Sequence, residues 1–247
     1  MISRVLDLLF PQGLYCLSCG RPLQHSTELP ALCSRCAEEI IWANGHMCEK
    51  CGRPISENNP GGLCSSCMES PRVFKHGFAC ALYAGRAADL VRDMKYREKP
   101  YIADTLAYFL NERYRAAADP ETGELPTYDF VINVPMHAKK RARRGYDQAE
   151  LMAKKFARIT SLPFLPHALV RVVETSAQSS LSAIERRNIE RAFIVSPPIA
   201  NRLTDARVLL VDDVLTTGST ADACAETLVS AGSASVDLIV FAAGSDA

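Results

Sequence analysis

Two stretches of the sequence contain most of the residues that could do chemistry. The first is VLLVDDVLTTGST at 208–220, where an apolar run ends in two adjacent carboxylates, Asp212 and Asp213, followed by a turn of Thr, Gly and Ser. The second is the region up to residue 67, which holds eight of the ten cysteines of the chain. The first stretch suits a phosphate ester and the second suits a soft metal ion.

The turn at 216–220 has the composition of an anion site. It supplies hydroxyl groups and backbone N–H groups, and it is expected to open a helix whose dipole favours negative charge. Asp212 and Asp213 can accept hydrogen bonds from ribose hydroxyls or share a Mg²⁺ with them, so the pattern predicts a ribose 5-phosphate site. The alternative is a buried acidic pair beside an ordinary helix cap. A nucleoside triphosphate loop is excluded because no Gly-Lys-[Ser/Thr] follows.

The clustered cysteines form four C-x-x-C pairs in a repeated pattern. CLSCGRPL at 16–23 returns as CEKCGRPI at 48–55, and CSRC at 33–36 returns as CSSC at 64–67, a period of about 32 residues. Two thiolates two residues apart can bind one tetrahedral ion from a tight turn, and Gly20 and Gly52 suit a turn that needs positive φ. We predict two structural zinc sites with the ligands Cys16, Cys19, Cys33, Cys36, Cys48, Cys51, Cys64 and Cys67.

The cysteine pattern leaves the pairing of the motifs open. Sequential pairing is the simplest arrangement, while crossed pairing, disulfides and iron–sulfur ligation are the alternatives. Four thiolates leave no open coordination position, so the zinc ions are expected to stabilise the fold and not to catalyse. Trp42 is predicted to pack the two zinc units together, and Cys80 and Cys224 are predicted to be core residues because their neighbours are apolar.

The hydrophobic pattern predicts the elements that position the acidic turn. Four apolar runs have strand length, at 77–83, 129–135, 207–213 and 235–242, and helical periods occupy 149–157 and 221–229. Strands that are apolar on both faces and alternate with helices indicate an α/β fold, a mostly parallel sheet with helices on both faces. Ligands of such sheets bind beyond the carboxyl ends of the strands, which here are 212–220 and 135–146.

The segment HAKKRARRGYDQ at 137–148 concentrates positive charge beyond a predicted strand end. Its candidate anion-binding residues are His137, Lys139, Lys140, Arg141, Arg143 and Arg144, with Arg186 and Arg187 as a second group. These cations can neutralise a pyrophosphate, or with Tyr96 and Tyr146 they can form a groove for single-stranded DNA. The remaining alternative is a set of solvated loop charges. His137 is either a general acid or base, or a surface residue.

Length and composition bound the class of protein. At 247 residues and 48% hydrophobic content, the chain can bury the core of one main domain plus a smaller one, which we assign to 71–247 and 1–70. The 28 basic and 28 acidic residues cancel, so the overall charge favours neither nucleic acid nor membrane. The sequence has no apolar run of membrane-spanning length and no signal peptide, so the expected location is the cytoplasm, without membrane insertion.

Taken together, five segments resemble the ComF competence-protein family. They are CLSCGRPL, LVRDMKYREKP at 90–100, VPMHAKKRARRGYDQAELMA at 134–153, QSSLSAIERRNIERAF at 178–193, and VLLVDDVLTTGST. The last is similar to the phosphoribosyl-pyrophosphate (PRPP) motif of type I phosphoribosyltransferases. The resemblance extends nearly end to end and implies a double zinc-ribbon-like module followed by a type I phosphoribosyltransferase-like parallel sheet.

The resemblance also implies roles for particular residues. The PRPP-binding set by match is Val211, Asp212, Asp213, Thr216, Thr217, Gly218, Ser219 and Thr220. Asp212 and Asp213 are the catalytic pair at the ribose, the turn takes the 5-phosphate, 134–137 is the pyrophosphate loop, and 178–191 is a flexible cover.

Family membership implies a role in DNA uptake during natural transformation, beside helicase and recombination-mediator partners. Two functions stay open. One is Mg²⁺-dependent transfer of phosphoribosyl from PRPP to an unidentified acceptor, because the zinc module takes the position of the hood that reads the acceptor in other members. The other is a non-catalytic adaptor that binds single-stranded DNA.

Overall fold

A computed structural model describes residues 15–23, 31–57, 59, 61–173 and 192–246. The predicted cover at 178–191, together with Arg186 and Arg187, lies outside the described residues.

Within the described residues, six strands form two sheets. They are β1 (Gly77–Leu82), β2 (Phe130–Asn133), β3 (Leu169–Arg171), β4 (Phe193–Val195), β5 (Arg207–Leu215) and β6 (Ser235–Ala243). The main sheet has the order β1-β6-β5-β2 and all its pairs are parallel. Its four strands are the four predicted runs, displaced by at most two residues at either end. The antiparallel pair β3-β4 was not predicted, because each strand has only three residues.

Seven α-helices and one 3₁₀ helix lie among the described residues. They are α1 (Ser34–Glu38), α2 (Ser65–Glu69), α3 (Gly85–Tyr96), α4 (Ile102–Arg115), α5 (Ala138–Arg144), α6 (Gln148–Thr160), α7 (Ser219–Ser230) and the 3₁₀ helix Pro197–Arg202. The helices predicted at 149–157 and 221–229 are confirmed as α6 and α7. In the part of the chain that the structure describes, no helix combines the length and apolar content needed to span a membrane.

Both faces of the main sheet are buried, as predicted. Leu209 and Val211 of β5 point into a core shared with α3, α4 and α6, whereas Val208 and Leu210 point into a core shared with α7. This alternation is the period-two geometry of a strand covered on both sides. Each fully buried Leu, Ile or Phe adds about 1.5–3 kcal/mol of stabilisation, so the two cores hold the sheet and its loops in place.

The two cysteine-rich units attach to opposite faces of this sheet. Cys16 and Cys36 belong to the core on the α4 side, while Cys48 and Cys64 belong to the core on the α7 side. The prediction that Trp42 packs the two units together was wrong. Its ring packs against Phe109 of α4 in a tilted arrangement, with 4.8 Å between centroids, because the linker containing Trp42 runs along β1 instead of between the units.

The linker at 41–43 extends the main sheet beyond β1. The Ala43 N–H donates to the Cys80 carbonyl at 2.8 Å, and the Leu82 N–H donates to the Ile41 carbonyl at 2.8 Å. Cys80 itself is buried, as is Cys224 on the other face, which confirms both as core residues. The division of the chain at residue 70 stays a prediction.

Candidate functional site

The eight N-terminal cysteines form two groups of four. The groups are Cys16, Cys19, Cys33 and Cys36, and Cys48, Cys51, Cys64 and Cys67. Within each group the four Sγ atoms lie within 4.8 Å of one another, which fits a single tetrahedral Zn²⁺ held by thiolates. The motifs therefore pair sequentially, and the crossed arrangement and disulfides are excluded.

The first C-x-x-C turn of each unit has the same backbone geometry. Gly20 and Gly52 have φ of +72° and +70°, as predicted for these turns. The Gly20 N–H donates to the Cys16 carbonyl at 2.8 Å, and the Gly52 N–H donates to the Cys48 carbonyl at 2.8 Å. Positive φ costs glycine little and other residues more, so the repeated glycine is explained by the turn.

The two cysteine groups differ in exposure. All four cysteines of the second group are buried, whereas Cys19 of the first group is exposed and Cys33 is partly exposed. Reagents in solution therefore reach the first group more easily than the second.

The predicted acidic pair lies in β5, directly beyond the point where the neighbouring strand β2 ends. Asn133, the last residue of β2, pairs with Val211, and the Val134 N–H donates to the Val211 carbonyl at 2.9 Å. This register places the predicted pyrophosphate loop, 134–137, next to Asp212 and Asp213. The strand ends thus bring together the two segments that the sequence predicts to share one ligand.

Lys95 is the ion-pair partner of Asp213, and the sequence interpretation missed this role. Its Nζ lies 2.6 Å from Oδ2 of Asp213, and both side chains are largely buried. Although burial lowers the pKa of Lys95, the charges of Asp213 and Asp212 outweigh it and raise the pKa above the ordinary value. Burial raises the pKa of Asp212, and the adjacent charge of Asp213 raises it further. The site therefore holds two carboxylates and one ammonium in contact with little water.

The turn after β5 has the geometry of an anion-binding helix start. Gly218 has φ of +87° and precedes α7, and Thr217 Oγ1 lies 3.1 Å from Ser219 Oγ. A small cavity of about 50 Å³ is bordered by Asp212, Thr216, Gly218 and Thr220 among others. The N–H groups and dipole at the start of α7 favour a negatively charged group beside this cavity.

The basic segment after β2 is a helix, so the alternative in which its charges lie in a loop is wrong. Ala, Lys and Arg are strong helix formers, and α5 has an N-cap and a C-cap. His137 is the N-cap, with Nδ1 accepting from the Lys139 N–H at 3.4 Å, and Gly145 ends the helix with φ of +85°. The arginines of the last turn place positive charge at the negative end of the helix dipole, which stabilises the helix.

The cations of α5 and the end of α3 line a common cleft of about 190 Å³. Its lining residues are Lys95, Tyr96, Glu98, Lys140, Arg143, Arg144 and Tyr146. The Arg144 guanidinium lies over the Tyr96 ring, 5.4 Å from its centroid, whereas Arg141 points away and pairs with Glu150 at 3.0 Å. Because Lys95 borders this cleft and also contacts Asp213, the cleft adjoins the acidic pair.

Asp147 fixes the turn that follows β2, and it too was missed. Its carboxylate is buried and accepts from the Met136 N–H at 2.8 Å and from the Glu150 N–H at 3.2 Å. Burial raises its pKa. An Asp directly before a helical period is a recognised N-cap signal and was available in the sequence. Its hydrogen bond to the Met136 N–H depends on the chain folding back, so no pattern in the sequence predicts this bond.

Both parts of the chain match known families. A family model described as a double zinc ribbon domain matches residues 5–68, and one described as a phosphoribosyl transferase domain matches residues 142–247. The first match and the two cysteine groups together identify two structural zinc sites. The second match and the parallel sheet identify a phosphoribosyltransferase fold.

Two relatives decide the family. DNA utilization protein YhgH of Salmonella typhi is 30% identical over 224 residues, which is 90% of this chain and 94% of that protein. Competence protein F of Haemophilus influenzae is 33% identical over 159 residues, which is 64% of this chain and 68% of that protein. The chain belongs to the competence protein F family. The predicted family is therefore confirmed, and the match to YhgH covers most of both proteins.

Solved structures resemble this competence protein F family member only loosely. Adenine phosphoribosyltransferase from Leishmania tarentolae is 16% identical with a TM-score of 0.37, covering 71% of this chain and 80% of that chain. Glutamine PRPP amidotransferase from B. subtilis is 19% identical with a TM-score of 0.37, covering 58% of this chain and 26% of that chain. The family match and the parallel sheet identify the phosphoribosyltransferase fold of this chain.

Proposed function

We propose that this competence protein F family member binds PRPP at the carboxyl ends of β5 and β2 and acts in DNA uptake. The observation that supports this best is the order of features from Asp212 to the start of α7. Two carboxylates lie near the end of β5, a hydroxyl-rich turn passes through Gly218 in the left-handed region, and α7 begins at once. The hydroxyls of a ribose 5-phosphate can donate hydrogen bonds to the two carboxylates, and its phosphate can bind at the start of α7.

Each part of PRPP has a matching group in this proposal. Asp212 and Asp213 accept hydrogen bonds from the ribose hydroxyls, and 216–220 holds the 5-phosphate. The pyrophosphate lies toward 134–137 and the cleft lined by Lys95, Lys140 and Arg143. Positive charge there neutralises the most negative part of the ligand.

The oxygen donors of the acidic pair fit Mg²⁺, which prefers carboxylate and hydroxyl oxygens. A bound Mg²⁺ supplies positive charge to the ribose and pyrophosphate oxygens. The residues of the chain position the sugar and exclude water around it, since Asp213 is buried and Lys95 is largely so. Lys95 also holds one carboxylate in place before any ligand arrives.

If the protein turns PRPP over, the reaction is a transfer at C1 of the ribose. The bond between C1 and the pyrophosphate oxygen breaks, and its electron pair leaves with pyrophosphate. A bond from an unidentified nucleophile to C1 forms, and the proton of the nucleophile passes to a base or to solvent. The cations beside the pyrophosphate stabilise the charge that develops on it as it leaves.

Calorimetric titration with PRPP in the presence of Mg²⁺ tests the binding proposal. The wild-type chain is expected to bind, and the double variant Asp212→Asn/Asp213→Asn is expected to lose at least tenfold in affinity, because charge-assisted hydrogen bonds to the ribose are lost. Asp89→Asn is the matched control, since Asp89 is an exposed acid on α3 that pairs with Arg92 at the surface. Equal affinity in the wild type and the double variant would refute the site.

The second candidate function is binding of single-stranded DNA at the cleft between α3 and α5. Three features favour it: a cluster of cations, two tyrosines at the same place, and the cation–π contact of Arg144 with Tyr96. Basic grooves with aromatic side chains bind single strands through phosphate contacts and base stacking. In this function the chain acts as an adaptor of the uptake machinery, beside helicase and recombination-mediator proteins.

Fluorescence anisotropy with a labelled oligonucleotide tests the second function. Affinity is expected to fall as salt rises, and the variant Arg143→Gln/Arg144→Gln is expected to bind more weakly with a shallower salt dependence. The control is Arg115→Gln, because Arg115 is also an arginine at a helix end but does not line the cleft. Binding that is indifferent to salt and to the double variant would exclude this cleft as the DNA site.

A further inference from the structure

The second zinc unit, residues 48–67, lies directly behind the proposed phosphate loop. The first C-x-x-C turn of this unit packs against the start of β1 so closely that neither strand nor turn has room for a side chain. A Cβ on Gly52 would lie 2.2 Å from the Gly77 carbonyl oxygen, and a Cβ on Gly77 would lie 2.6 Å from the Cys51 carbonyl oxygen. The Gly77 N–H also donates to the Lys50 carbonyl at 2.8 Å. The zinc-binding turn is thus fixed to the main sheet.

Arg53 connects this turn to the beginning of the phosphate loop. Its backbone carbonyl accepts from the Cys48 N–H at 2.9 Å, so its backbone position is part of the zinc-binding turn. Its buried guanidinium donates from Nη2 to the Thr216 carbonyl at 2.5 Å and from Nη1 to the Ser245 carbonyl at 3.3 Å. One side chain therefore joins a zinc ligand turn, the phosphate loop and the C-terminal segment.

Arg72 supports the other end of the loop. It is buried, and its Nη1 donates to Oδ2 of Asp222 in the first turn of α7 at 2.7 Å. Its Nη2 donates to the side chain and the carbonyl of Ser66, which lies in α2 one residue before Cys67. A Cβ on Gly218 would lie 2.9 Å from Arg72 Nη1, so the guanidinium forms the floor beneath the glycine of the loop.

The C-terminal segment closes the same contact region. Oδ1 of Asp246 accepts from the backbone N–H of Ser65 at 2.9 Å and from its hydroxyl at 2.7 Å. Ser65 directly follows the zinc ligand Cys64. Both C-x-x-C motifs of the second unit are therefore tied to the residues around the phosphate loop.

The first zinc unit makes contacts of a different kind. Its Glu39 pairs with Arg86 of α3, and the linker after it packs Trp42 on Phe109 of α4. These contacts are on the opposite face of the sheet from α7. The two zinc sites repeat in sequence but differ in what they support.

We propose that the second zinc site, and not the first, controls the shape of the phosphate loop, with Arg53 and Arg72 as the positioning residues that connect them. This inference rests on the proposed PRPP site. When the second zinc is bound, the two guanidinium groups hold 216–218 in the conformation that receives the anion. When it is lost, the turn that fixes Arg53 and the helix that fixes Arg72 loosen, and the loop loses its support.

Two variants test the connection while leaving all eight cysteines in place. Arg53→Gln and Arg72→Gln are each expected to keep two zinc ions per chain, to speed amide hydrogen exchange at 216–220 in the ligand-free protein, and to weaken PRPP binding about tenfold. Arg86→Gln is the matched control, because it removes the corresponding link of the first unit to α3. Exchange and affinity at wild-type levels in both arginine variants would overturn the proposal.

Stepwise zinc release tests the difference between the two sites. A thiol-reactive agent is expected to release the first zinc before the second, because Cys19 is exposed and the second group is buried. PRPP affinity and loop protection are expected to survive the first release and to fall at the second. A fall of both at the first release would refute the asymmetry.

Hydrogen exchange separates this proposal from the proposed function. If wild-type protein does not bind PRPP but loses protection at 216–220 on the second zinc release, the proposed function fails while the structural connection stands. If PRPP binds and loop protection never responds to the second zinc, the connection fails while the proposed function stands.

Discussion

Replacing Gly52 by Ala should damage the protein far more than replacing Gly20, although the two glycines occupy equivalent positions in the repeat. Both have φ near +70°, so an added Cβ costs about 1–2 kcal/mol of backbone strain at either position. At Gly20 the Cβ meets nothing within 4 Å, whereas at Gly52 it would lie 2.2 Å from the Gly77 carbonyl oxygen. Because a backbone atom must move, overpacking adds about 1–3 kcal/mol at Gly52.

The expected loss of unfolding free energy is therefore about 1–2 kcal/mol for Gly20→Ala and about 2–5 kcal/mol for Gly52→Ala. The measurement is urea unfolding at a fixed concentration of free zinc, because metal binding is linked to folding. Zinc content and amide exchange at the start of β1 are measured on the same samples. Equal destabilisation by the two substitutions would refute the close approach of the second zinc-binding turn to β1.

Three further predictions concern the candidate site. Lys95→Met leaves the Asp213 carboxylate buried without its ammonium and should lower the free energy of unfolding by about 2–4 kcal/mol. The double variant Lys95→Met/Asp213→Asn should restore most of this loss. If urea unfolding shows that the costs of the two substitutions add, the ion pair is contradicted. Gly218→Ala introduces strain at φ of +87° and a contact with Arg72, so calorimetry should show PRPP affinity at least about tenfold weaker, and unchanged affinity would argue against this loop geometry. Burial and the charge of Asp213 raise the pKa of Asp212 above its ordinary value of about 3.9. Since the ionised carboxylate accepts the ribose hydrogen bonds, PRPP affinity should rise as pH increases through that raised pKa. A rise that persists unchanged in Asp212→Asn would belong to other groups.

The sequence predicted the features whose cause is local. A C-x-x-C turn followed by glycine needs only a few neighbouring residues, and the repeat at a fixed period made sequential zinc pairing the simplest choice. The acidic pair, the hydroxyl turn and the start of α7 are likewise contiguous, and the apolar runs on either side indicated a buried parallel sheet. These parts of the fold follow from short segments, so their positions were predicted to within two residues at each strand end.

The features that were missed join residues far apart in the chain. Lys95 contacts Asp213, Arg53 contacts Thr216, and Arg72 contacts Asp222, and no local pattern distinguishes these cations from the other surface charges. The helix α5 was not predicted, for another reason. Its charges were interpreted as ligand-binding groups or, alternatively, as solvated loop charges, although its Ala, Lys and Arg content and the glycine that ends it are typical of a helix.

The strand-like linker at 41–43 has a consequence for how the chain can be divided. A β-strand at the edge of a sheet presents unpaired N–H and C=O groups that invite other chains to add to it, and β1 is such an edge apart from this linker. A fragment cut at the predicted boundary and starting at residue 71 would expose that edge and is expected to aggregate. We therefore expect the linker between the two zinc units, by covering β1, also to keep separate copies of the protein from joining sheet to sheet.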